Sequence, residues 1–178
     1  MWPPARGRWQ KVGTRMNTYT CIRTKRDTRF YMDTPIPDES LHRILQAGRM
    51  AGSSKNSQPC RFVVVEDAAT IRGLASCGQY TEHLPYAPLA IALVMPADGW
   101  DFDAGRAAQN MMLAAWEEGI TSCPTSMYDM DAARRVLGVP EGYRIAIVLP
   151  FAYPPPSGIK SRGLARLPLD EIARRGGW

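Results

Sequence analysis

Apolar residues recur along the chain at two periods, and the breaks between them predict its elements. Leu41, Ile44, Leu45 and Met50 follow Asp38 at helical spacing, which predicts a helix capped by Asp38 after the Pro35-Ile36-Pro37 turn and ending near Gly52. Arg61–Glu66 is a β-branched run of strand length, and Asp67 starts a short helix through Leu74 and Ala75 that Gly78 and Gln79 break. Pro88–Met95 predicts a second buried strand, closed by Pro96 and the turn Ala97-Asp98-Gly99. Behind Asp101 as a cap, Ala107, Ala108, Met111, Met112, Ala115 and Trp116 give a long helix a broad apolar face, with Gly119 placed to end it. A helix apolar over so much of its surface belongs at the centre of a domain or at a dimer interface. Asp131 opens a helix that stops at Gly138, Tyr143–Leu149 is a third strand, Pro150–Gly163 a proline-rich loop, and Pro168 starts a short terminal helix.

Strands alternate with helices, but without a regular βα rhythm, a G-x-G-x-x-G fingerprint, a P-loop or an internal repeat, so the expected class is α+β. A chain of 178 residues, 45% hydrophobic, suffices for one core, and residues 16–178 are expected to form a single domain. The formal charge of +5 does not point to nucleic acid, because Arg6, Arg8, Lys11 and Arg15 stand in a segment without acids. The remainder keeps 18 bases against 17 acids. Residues 1–15 lack the apolar stretch of a secretory signal and are expected to be a disordered tail. Leu89–Met95 falls far short of the ~20 residues of a membrane span. Cys21, Cys60, Cys77 and Cys123 are scattered, with only His42 and His83 beside them, which argues against a zinc site and fits a reducing cytoplasm.

Three polar clusters lie far apart in sequence: Lys25 to Arg29, Ser53 to Gln58, and Lys160 to Arg166. Basic residues near both ends of an almost neutral domain are suited to converge on one phosphate, whose oxygens guanidinium groups grip in pairs. On composition alone, solvated surface charge is the commoner reading of such residues. The loop Ser53-Ser54-Lys55-Asn56-Ser57-Gln58-Pro59 offers directed donors and acceptors to a planar heterocycle, and is equally an ordinary turn.

In order and spacing, Lys25-Arg26-Asp27-Thr28-Arg29-Phe30, Pro35-Ile36-Pro37-Asp38-Glu39-Ser40-Leu41, Ala51-Gly52-Ser53-Ser54-Lys55-Asn56-Ser57-Gln58-Pro59 and Arg61-Phe62-Val63-Val64-Val65 resemble the opening of the nitroreductase family. The stretch from Asp103 to Ala115, with Gly119-Ile120 after it, resembles that family's central helix, and Arg166-Leu167-Pro168-Leu169-Asp170-Glu171 resembles its C-terminal signature. The resemblance spans about Thr20 to Glu171. It implies a small mixed sheet covered by helices in a domain-swapped homodimer, with two FMN sites at the interface.

By the same resemblance, Lys25, Arg26 and Arg29 hold the phosphate and pyrimidine edge of FMN, while Ser53, Ser54 and Asn56 reach it from the partner subunit. Gln79 bonds the ring, Pro124 to Met127 present backbone groups near N5 with Ser126 and Met127 nearest, and Arg166 holds the phosphate, with Lys160 and Arg162 less closely aligned. It further implies that NAD(P)H and a nitroaromatic, quinone or similar acceptor use one slot in turn, a ping-pong cycle that needs no catalytic side chain. A cation such as Arg29 near N1 and C2=O favours the reduced flavin.

Two departures stand out. Asp27 replaces a Ser of many members and is expected to pair with Arg26 or Arg29 or to bond a ribityl hydroxyl. Asp at this place also occurs in relatives that make dimethylbenzimidazole by breaking down reduced FMN with oxygen, which leaves a flavin-fragmenting activity as an alternative. A flavin-binding protein without turnover is another. Cys60 stands where the family has Trp, which removes a large ring from the core or the pocket rim. Met111, Met112 and Trp116 are expected to pack, His42 to face solvent, and Tyr128 either to pack or to line a pocket.

Overall fold

A computed structural model describes residues 17–159 and 165–178. The expectations for the tail, Lys160 and Arg162 lie outside the described residues. Four strands, β1 (Arg61–Val65), β2 (Leu89–Pro96), β3 (Thr121–Ser122) and β4 (Tyr143–Ala152), form one sheet in the order β1-β2-β4-β3. Its ladders are all antiparallel, and the parallel pairing of the expected mixed sheet enters as an isolated bridge between Asp27 and Ser122. The helices are α1 (Thr18–Thr24), α2 (Asp38–Arg49), α3 (Ala68–Ala75), α4 (Asp101–Glu117), α5 (Met130–Leu137) and α6 (Leu169–Ile172).

The sheet is covered on both faces, which explains why β2 is apolar at every position rather than at alternate ones. Leu89, Ile91 and Leu93 join a core with Leu41, Ile44, Ala107, Met111 and Ala115 of α2 and α4. Ala90, Ala92 and Val94 face a second core with Ile71 and Leu74 of α3 and Ala133 of α5. Each fully buried Leu, Ile or Met contributes about 1.5–3 kcal/mol. In β4, Leu93 pairs with Ile147 but Val94 pairs with Ile145, so Ala146 is an extra residue. That bulge reverses the alternation and lets Ile145 and Val148, three apart, share one core. The helices α2 and α4 approach closely at Gly48, where a Cβ would lie 2.9 Å from Met111 Cγ and 3.0 Å from Phe62 Cζ.

Several expected boundaries shift. The helix α2 ends at Arg49, not near Gly52, and Asp38 and Asp101 are first-turn residues rather than caps, since Pro37 and Trp100 hold the cap positions. Asp101 instead pairs with Arg144 at 2.6 Å. Asp129, not Asp131, caps α5 by accepting from Ala132 N, whereas Asp67 caps α3 as expected, accepting from Thr70 N. Gly119 and Gly138 end their helices with φ of 77° and 62°, a conformation glycine adopts without strain. The third strand runs to Ala152, through Pro150 and into the expected loop. A proline is accommodated there because β3 pairs only with Phe151 and Ala152, so β4 has already lost one ladder partner at Pro150.

Candidate functional site

The edge formed by β3 is two residues long, and the chain covers it with its own N-terminal segment. Thr28 N donates to Ser122 O at 3.3 Å, and Met32 N to Tyr153 O at 2.9 Å. Thr28 is thereby buried, with Lys25, Arg26, Asp27 and Arg29 flanking it in the chain. Lys25 forms an ion pair with Asp27, its side chain only 10% exposed and its ammonium 3.4 Å from Met112 Sδ. The Asp27 carboxylate therefore engages Lys25 rather than the expected Arg26 or Arg29. Nη1 of Arg26 donates to the carbonyls of Arg23 and Lys25, both at 2.9 Å, which caps the end of α1 and leaves its other donors uncommitted among the described residues.

A second segment meets this edge from the α3 side. Cys77 O accepts from both Tyr128 N and Asp129 N at 2.8 Å, and a Cβ on Gly78 would stand 3.1 Å from Ser126 O. The turn carrying exposed Gln79 is thus fastened to the segment carrying Ser126 and Met127. Ser126 is exposed, but the Met127 side chain is buried in the second core, so only its backbone is available to a ligand. Lys25, Asp27 and Arg29 on the N-terminal segment, and Ser126 and Met127 beyond β3 with Gln79 fastened behind them, are thus carried along the β3 edge of the sheet.

Arg29 is exposed and lines a cavity of about 540 Å³ together with Tyr31, Glu82, His83, Tyr86 and Ser157. Its field reaches the buried groups below. Burial pushes the Cys123 thiol up, with Arg29 and Lys25 acting against it and Asp27 with it. Burial and then the Arg29 charge hold the His83 imidazole below its ordinary range, and burial pushes the Tyr31 phenol far upward. Three buried polar atoms here have no hydrogen-bond partner among the described residues: Tyr31 Oη, His83 Nδ1 and Ser122 Oγ.

Ser53, Ser54 and Asn56 lie elsewhere. Their loop leads into β1 at the opposite edge, three strand spacings or about 14 Å away across the sheet. It is built with left-handed backbone at Lys55, Asn56 and Gln58 (φ 52°, 54° and 49°), held by a 2.9 Å bond from Gln58 N to Ser53 Oγ. Such conformations in non-glycine residues persist where the surroundings or a function fix them. Beside it, a cavity of about 510 Å³ is lined by Ser53, His42, Cys60, Phe62 and Asp103, so the small Cys60 side chain borders open space. His42 is half-buried on that wall rather than fully in solvent. Arg166 belongs to a C-terminal segment exposed throughout, with Leu167, Leu169, Ile172 and Trp178 uncovered.

Met111 and Met112 are core residues, Trp116 packs with its indole N–H bonded to Thr24, and Tyr128 is exposed. Residues absent from the sequence expectation are Tyr31, His83 and Ser122, while Thr125 is expected only for its backbone, as part of Pro124 to Met127. The signal in the sequence was slight: His83 is one of two histidines and precedes the buried strand. Among the described residues, no cluster of His, Cys, Asp or Glu could hold a metal ion, and no helix is long and apolar enough to cross a membrane.

A family model described as the nitroreductase family matches residues 22–93 and 96–153. A protein of Archaeoglobus fulgidus, with the provisional name NADH dehydrogenase/NAD(P)H nitroreductase, is 34% identical over 144 residues, 75% of this chain and 83% of its own. A solved structure from Bacteroides thetaiotaomicron under the same provisional name aligns with a TM-score of 0.79 at 27% identity, covering 89% of this chain and 96% of that one. An FMN-dependent nitroreductase from Clostridium difficile aligns with a TM-score of 0.74 at 27% identity, over 80% and 91% of the two chains.

Proposed function

Because the chain belongs to the nitroreductase family, we propose that it is an FMN-dependent oxidoreductase, a homodimer that passes electrons from NADH or NADPH to a nitroaromatic, a quinone or a similar small acceptor. The observation that carries this reading is the placement of Lys25, Asp27, Arg29 and the Ser126–Met127 backbone, with Gln79 fastened behind it, along the β3 edge of the sheet, where a cavity has cationic Arg29 on its wall.

The residues present fit the cofactor. Among the described residues, Arg26 has uncommitted guanidinium donors, Arg29 has no hydrogen-bond or ion-pair partner, and Ser122 Oγ is a buried hydroxyl without one. Arg26, Arg29 and Arg166 would hold the phosphate and the pyrimidine edge, Gln79 the ring, and the backbone of Ser126 and Met127 its central edge. When bound, FMN supplies the two-electron chemistry. The chain's part is to bind, orient and bias: Arg29 favours negative charge in the cavity, and Lys25, drawn off by its ion pair, contributes less. Separation of Ser53, Ser54 and Asn56 from this cluster supports their delivery by a second copy, as does the uncovered apolar surface of the segment bearing Arg166.

Steady-state oxidation of NADH and NADPH against a nitroaromatic or quinone tests the reading. Parallel double-reciprocal lines are expected, and absence of turnover with every acceptor would refute it. Loss of intact FMN under oxygen would favour the fragmenting alternative. Arg26→Ala and Arg166→Ala should each weaken FMN binding; if both leave it unchanged, the phosphate assignment is wrong.

A further inference from the structure

The segment joining β3 to α5 carries Ser126 and Met127, and between Ser122 and Tyr128 its backbone-to-backbone hydrogen bonds among the described residues are those of Thr125. Thr125 exchanges two backbone hydrogen bonds with Val148, at 2.8 and 3.0 Å. Its hydroxyl makes two further contacts, 3.1 Å to Cys123 O and 3.0 Å to His83 Nε2. A hydroxyl has one hydrogen. With that hydrogen given to the carbonyl, the Thr125 oxygen accepts, and His83 must carry its proton on Nε2. The imidazole is 5% exposed and 42 residues distant in sequence, so it is a strut inserted under the segment from the α3 side of the molecule. On its other flank lies the Tyr31 ring, with centroids 6.0 Å apart, and Tyr31 follows Arg29 by two residues. His83 thus touches the supports of both the Ser126–Met127 backbone and the strap bearing Arg29.

We infer that His83 is a positioning residue: its Nε2–H bond to Thr125 sets the Ser126–Met127 backbone relative to Arg29 and thereby fixes how tightly the cofactor is held. The inference rests on the reading of this site as the FMN site. A strut of this kind acts through geometry, since neither His83 nor Thr125 need touch the ligand. A neutral ring is required for it, because protonation would place a second buried donor without a partner on Nδ1, beside the Arg29 charge.

Four variants test it: His83→Ala and Thr125→Val remove the bond, while His83→Gln and Thr125→Ser keep a donor or a hydroxyl in place. FMN is titrated into apo-protein, the midpoint potential of the bound flavin is measured, and thermal unfolding of the apo-protein reports folding separately. Loss of one buried hydrogen bond should raise the FMN dissociation constant roughly tenfold in the first pair, while the second pair stays within about twofold of wild type. The flavin potential should shift in the first pair and hold in the second. If His83→Ala fails to fold, the Thr125 pair carries the same comparison. Unchanged affinity and potential in folded His83→Ala or Thr125→Val would overturn the role of His83 while leaving the FMN reading intact. A wild-type protein that binds no FMN would overturn both.

Discussion

Replacing Gly78 by Ala tests whether the turn bearing Gln79 is packed too tightly between Gly78 and Thr81 to admit a side chain. A Cβ at position 78 would overlap Thr81 Cγ2 and approach Ser126 O to 3.1 Å and Thr81 Cβ to 3.4 Å. Thr81 cannot simply turn away. It is buried and β-branched, and its hydroxyl donates to Ala75 O at 2.6 Å, a bond that rotation about χ1 would break. The backbone must therefore move, and overpacking of this kind costs about 2 kcal/mol. Thr81→Ser removes the offending methyl, alone costing about 1 kcal/mol of burial. If the overlap is the cause, the double variant should fall no more than about 1–1.5 kcal/mol below wild type instead of the roughly 3 kcal/mol of independent effects. Urea unfolding of the four proteins measures the cycle. Gly78→Ala within about 0.5 kcal/mol of wild type, or strict additivity, would refute the tight packing of Gly78 against Thr81.

Further outcomes follow from individual residues. Arg29→Ala should leave stability within about 0.5 kcal/mol, because Arg29 supports no described element, yet weaken FMN binding by more than about tenfold; equal loss of both would contradict its placement on the cavity wall. The folded state holds His83 below its ordinary pKa of 6.5, so the unfolded chain binds the proton more readily. Stability contributed by the neutral ring is then present above that value and is lost as pH falls below it toward the folded pKa, and unfolding against pH in wild type and His83→Gln should show the slope only in the former. Asp129→Ala removes the acceptor for Ala132 N and should cost about 1 kcal/mol by urea unfolding, whereas Asp131→Ala, outside the cap, should cost less.

What the sequence made legible divides by range. The helix α4 and strand β2 are long and strongly patterned, and both lie where expected. Helix ends were less legible, since Asp38, Asp101 and Asp131 are capping types and only the backbone turn decides whether the aspartate or its neighbour is the last non-helical residue. Extension of β4 past Pro150 depended on where its neighbour β3 ended, a tertiary fact. For the site, the Lys25–Arg29 and Ser53–Asn56 motifs stood out because their order and spacing resemble a family. The partnership of Asp27 with Lys25 and of His83 with Thr125 did not, because side-chain reach and a contact across 42 residues leave no periodic trace.

The central claim, a redox site for FMN at the β3 end of the sheet, is tested most directly by the visible absorbance of the purified protein before and after anaerobic addition of NADH or NADPH. Flavin bands that bleach with a nicotinamide and return on addition of a nitroaromatic or quinone are the predicted result. A colourless protein that cannot be reconstituted with FMN, or a yellow one that neither nicotinamide bleaches, would contradict it.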